Sequence, residues 1–77
     1  MEAETTTPQD RYLEILMEKV REDRYPSGDL MDRVEAVITS REQAVEYLDV
    51  LYEKISDDKY PSKQMLDRIH AVAARVS

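Results

Sequence analysis

The chain has 77 residues, a formal net charge of -6, no cysteine, one histidine and one glycine. A chain of this length buries only about 60% of its unfolded surface, which leaves no room for a deep pocket beside a core. Without cysteine and with a single histidine, neither disulfides nor a cysteine or histidine metal cluster supplements that core, so it must hold by packing alone. Half of the acid excess sits on Glu2, Glu4 and Asp10 near one end, and the remaining residues carry only -3 over the repeated body, which is nearly balanced. That balance argues against a nucleic-acid mimic and leaves no basic footprint for nucleic acid itself.

Residues 1–7 are acidic and threonine-rich, without the basic and apolar regions of a secretory signal. They are expected to form a disordered tail. No apolar run approaches the roughly 18–20 residues that span a bilayer. The expectation is a soluble, cytoplasmic protein with no membrane contact, in which residues 8–77 form one helical domain.

Thr7-Pro8-Gln9-Asp10 is a helix start, with a hydroxyl to cap, a proline at the first helical position and an acid near the positive helix end. Leu13, Leu16, Met17 and Val20 follow at i, i+3, i+4 and i+7, one apolar stripe, with Tyr12 and Ile15 beside it. Pro26 disfavours helical geometry at Tyr25 and cannot donate to a continuing ladder, so the helix stops before it. Ser27 then caps a second helix whose apolar residues are Leu30, Met31, Val34, Val37 and Ile38, lasting to about Ser40.

Ser40-Arg41-Glu42-Gln43 has the spacing of a capping box and opens a third helix almost without a linker. Ala44, Val45, Leu48, Leu51, Tyr52 and Ile55 form its stripe, widened by Tyr47 and Val50. Pro61 and Ser62 stop and restart the chain as Pro26 and Ser27 do. Met65, Leu66, Ile69, Val72, Ala73 and Val76 line the last helix.

Asp23-Arg24-Tyr25-Pro26-Ser27 therefore returns as Asp58-Lys59-Tyr60-Pro61-Ser62. Residues 11–40 align without a gap on 46–75, an offset of about 35 residues, with about thirteen identities among the thirty pairs. The predicted fold is all-α: four short helices from a duplicated αα-hairpin, closing into a compact four-helix bundle because one hairpin cannot bury its own apolar face. The competing geometry, a two-unit solenoid fragment with one face open, requires a partner or self-association.

Within this frame the candidate partner-binding residues are Tyr25, Tyr60, Tyr47, Tyr52, Arg33 and Arg68. A tyrosine at a fixed turn is a good docking anchor; the structural alternative has the ring folding over the end of the hairpin core. Arg33 and Arg68 follow an aspartate at the same place in both units. They read either as a grip on an anion or as partners of Glu18 and Glu53 on the neighbouring helix. An apolar patch of Met17, Tyr47, Val50 and Tyr52 left outside the core is the signature expected of an adaptor.

Catalytic and metal readings fail on residue types. Glu22 to Gly28 and Asp57 to Lys63 lack the alternating acids and central glycine of a calcium loop. His70 stands where the first unit has Glu35, an exposed position without a nucleophile beside it. A single glycine excludes a glycine-rich phosphate loop. Acids Asp29, Asp32, Glu35 and Asp67 on the second helices would repel a DNA backbone.

The expected function is a small non-enzymatic interaction module without a cofactor, an adaptor or assembly subunit that binds a protein partner, a second copy in a homodimer being one such partner. The alternative is an acidic inhibitor of the immunity or antitoxin type, and a nucleic-acid-binding regulator ranks below both.

Overall fold

The structure, a computed structural model, describes residues 7–77. The tail expected over residues 1–7 lies outside them except for Thr7. Among the described residues the chain is all-α, with four helices and no strand: α1 Pro8–Glu22, α2 Gly28–Val37, α3 Arg41–Asp57 and α4 Lys63–Arg75. It divides into two compact units, one ending at Ile38 and the other beginning at Thr39. Each unit is a helical hairpin, α1 packed on α2 and α3 packed on α4.

In the first hairpin, Thr7 forms a complete capping box rather than a simple cap. Its hydroxyl accepts from the Asp10 N–H at 3.0 Å, and the Asp10 carboxylate accepts from the Thr7 N–H at 3.4 Å. Leu13, Leu16, Met17 and Val20 are the buried residues of α1. They span an arc of about 100°, the one-stripe face expected of a helix covered from one side. Met31 and Val34 are buried on α2, and Ile38 just beyond its end completes this core. Glu14, Glu18 and Glu22 stand four residues apart on α1 and repel one another, and Arg21 offsets this at the centre by reaching Glu18 at 3.2 Å.

α2 ends at Val37, about three residues short of the predicted Ser40, because Ile38 to Ser40 turn extended to cap the next helix. There the Ser40 hydroxyl accepts from the Gln43 N–H at 3.1 Å. The Gln43 side chain reaches one residue further back than in a standard capping box and accepts from the Thr39 N–H at 2.8 Å.

The second hairpin buries its residues differently. On α3, Ala44, Tyr47, Leu48, Val50 and Leu51 are buried, an arc of about 160°. On α4 only Val72 is buried, while Met65, Ile69, Ala73 and Val76 are half-buried. Leu66, predicted to line the core, is instead open to solvent. Arg41 at the start of α3 donates from Nε to the Val76 carbonyl at 3.2 Å, tying the start of one helix to the end of the other. A cation there satisfies a carbonyl that α4 leaves unbonded and complements the negative end of its dipole.

Tyr12 and Tyr47 occupy the same place in the two hairpins, yet Tyr12 is 44% exposed and Tyr47 0%. Tyr47→Ala is expected to cost about 3–5 kcal/mol, as for other large aromatic deletions from a core. Tyr12→Ala should cost less than about 1 kcal/mol. Urea unfolding followed by circular dichroism separates the two; equal losses would contradict the burial pattern.

Candidate functional site

The turn between α1 and α2 is assembled from the residues that recur between α3 and α4. Asp23 ends α1 with an extended backbone, its N–H donating to the Lys19 carbonyl at 3.1 Å. Its carboxylate accepts from the Tyr25 N–H, also at 3.1 Å. This side-chain bond offers the backbone an alternative to another helical turn, so α1 stops before the residue that Pro26 restricts. Pro26 is buried. Ser27 caps α2 by accepting from the Leu30 N–H at 3.1 Å.

The second turn repeats the two side-chain bonds, but its helix ends more tightly, on the carbonyl three residues back rather than four. The Asp58 N–H donates to the Ile55 carbonyl at 3.3 Å, and its carboxylate accepts from the Tyr60 N–H at 3.1 Å. Ser62 accepts from the Met65 N–H at 3.1 Å. The serine backbone angles agree within a few degrees, φ -69 and ψ 155 at Ser27 against φ -72 and ψ 155 at Ser62.

The two tyrosine rings do not fold over the hairpin ends. Tyr25 is 69% exposed and Tyr60 81% exposed. Each ring lies beside the preceding basic residue: the Arg24 Cζ is 5.6 Å from the Tyr25 centroid and the Lys59 Nζ 5.8 Å from the Tyr60 centroid. Such a cation at an exposed ring contributes about 0.5–1 kcal/mol, enough to bias how the ring is presented. Each hairpin end thus offers an aromatic surface edged by positive charge on a turn held between two capped helices.

The other candidates divide. Tyr47, expected among the partner contacts, is fully buried in this chain and presents no surface to a partner. The expected apolar patch fails with it: Met17 and Val50 are buried as well, and Tyr52 alone of the four is open. Arg33 is exposed and Arg68 half-buried, so equivalent positions do not present matching cations. Glu18, expected to receive Arg33, pairs with Arg21. His70 is exposed, as predicted from Glu35 at its counterpart.

The exposed apolar residues that sequence reasoning did not single out are Tyr12, Ile15, Val45 and Leu66. For Tyr12 and Ile15 a signal existed, since both lie off the Leu13–Val20 stripe. Among the described residues no group of three or more His, Cys, Asp or Glu side chains is placed to hold a metal ion, and no helix is long and apolar enough to cross a membrane.

The caps give a direct check on the turn. Ser27→Ala and Ser62→Ala should each lower stability by about 1 kcal/mol, read from the urea midpoint; a loss at one site only would show that the two turns are not energetically equivalent.

Comparison of the chain with family models, with curated proteins and with solved structures gave no match. The functional reading therefore rests on the residues themselves.

Proposed function

We propose that this chain is a small non-enzymatic protein-interaction module, an adaptor or assembly subunit acting in the cytoplasm, that engages its partner through Tyr25 and Tyr60. The observation that carries this reading is the division of labour within the shared turn. Asp23 and Asp58 hold the tyrosine amide, Pro26 and Pro61 stop the helix, and Ser27 and Ser62 cap the next one. The tyrosine rings stand in solvent beside a cation in both hairpins, so folding leaves them available.

Tyrosine and arginine are the residues most enriched among those that dominate binding energy, and a ring on a short capped turn loses little freedom on binding. The neighbouring Arg24 and Lys59 favour a partner that sets a carboxylate beside an apolar contact. The acidic-inhibitor reading is supported by the exposed Glu14, Glu18 and Glu22 on α1. It ranks second because Lys19 and Arg21 interrupt that row, and Arg21 bonds to Glu18.

The test is a Tyr25→Ala, Tyr60→Ala double variant compared with the parent chain in capture of partners from the cells that make it. Unfolding free energy should change by no more than about 0.5 kcal/mol per exposed site. Affinity for the captured partner should fall at least about 30-fold for each ring that acts as an anchor. Full retention of the partner would overturn the proposal, as would a large loss of stability, which would return the rings to a structural role.

A further inference from the structure

The two turns share a charge pattern as well as their side-chain bonds. Acids outnumber lysine and arginine by 17 to 11 in this chain, yet among the described residues no carboxylate pairs with Arg24 or Lys59. The preceding acid, Asp23 or Asp58, instead accepts from the tyrosine amide at 3.1 Å. Each cation leans on the ring that follows it, 5.6 Å from the Tyr25 centroid and 5.8 Å from the Tyr60 centroid. A cation without a carboxylate of its own keeps its attraction for one supplied from outside, and an apolar group stacked on the ring removes water from one flank of that contact, which strengthens it.

These bonds and ring contacts are made within one hairpin in each case, so each hairpin holds a complete copy of the arrangement. We propose that the chain is a two-headed linker: each turn takes one apolar side chain followed closely by a single carboxylate, so that one chain joins two copies of the same protein segment. This rests on the reading of Tyr25 and Tyr60 as docking points, and adds to it the number of sites and the chemistry each accepts.

The segment carries one acid rather than a run of them. Glu22 and Asp57 are exposed beside the turns, and Asp23 and Asp58 add their own charge. A stretch of consecutive acids would meet one cation and several anions, whereas a single carboxylate set against the cation keeps the attraction. The heads differ in one respect. Arg24 can hold a carboxylate with two parallel N–H donors, whereas Lys59 acts as a point charge, so the first turn should bind the segment more tightly than the second.

The probe is a short synthetic peptide with leucine and proline ahead of one glutamate and serines on either side. It is titrated into the full isotope-labelled chain while the backbone amide signals of both turns are followed by NMR. Both turns should respond, the first at the lower peptide concentration. Tyr25→Ala should weaken binding at the first turn at least about 10-fold and leave the second unchanged, and Tyr60→Ala should do the reverse. Arg24→Gln and Lys59→Gln leave the aspartate and serine bonds of the turns in place and should weaken the same turns, so a loss can be told from a turn that has come apart. Lys59→Arg should raise the affinity of the second turn toward that of the first. A peptide with glutamine in place of the glutamate should bind at least about 10-fold more weakly, and one with several consecutive glutamates no more tightly than the probe.

A probe that moves the signals of one turn only, or of neither, would overturn the linker, as would a glutamine peptide that binds as well as the probe. If the Tyr25→Ala, Tyr60→Ala variant loses its captured partner alongside either result, the docking reading stands and the linker alone is refuted. Full capture by that variant would instead remove the reading on which the linker rests.

Discussion

The architecture depends on a backbone constraint at two places: the amide of the residue before each proline must find an acceptor outside the helix. Tyr25 and Tyr60 donate to Asp23 and Asp58 two residues back, and in both turns the helix has already ended at that aspartate. Proline alone would permit a ragged end anywhere in the preceding turn. The aspartate fixes where the helix stops, and the serine fixes where the next begins. With both ends set, each pair of helices has only a short connection and must lie side by side, which brings its apolar stripes together.

That constraint explains why the aromatic ring is the part of the motif with a free surface. Main-chain bonding around Tyr25 is supplied by its neighbours, so the side chain points outward without weakening the turn. A hydrophobic side chain at this place would leave an exposed apolar group beside a cation. A tyrosine combines an apolar body with a polar tip and tolerates water on one side and a protein surface on the other.

Much of the fold was legible because its signals are local. The caps at Thr7, Ser27, Ser40 and Ser62 and the stops before Pro26 and Pro61 all occur where spacing placed them. The α1 stripe was readable because Leu13, Leu16, Met17 and Val20 stand apart from charged neighbours. The α3 face was harder to read, since Tyr47, Val50 and Tyr52 are all apolar and periodicity does not say which of them the fold leaves outside. Tyr47 and Tyr12 make the point most clearly, because residue type and local context are shared while burial is opposite. Burial at such positions is decided by tertiary surroundings, which a single helix pattern does not encode. Leu66 carried no signal at all, since its spacing on α4 is that of a core residue.

The described backbone contains no residue with positive φ, and even its glycine lies in the ordinary region. The helices end in extended or near-helical geometry rather than in the left-handed turn that commonly closes a helix on glycine. No helix end here therefore demands the one residue type that conformation favours. Amino-acid exchange at these ends is limited by hydrogen bonding and solvation rather than by steric strain, which gives a chain of this design unusual latitude to drift in sequence while its topology stays constant.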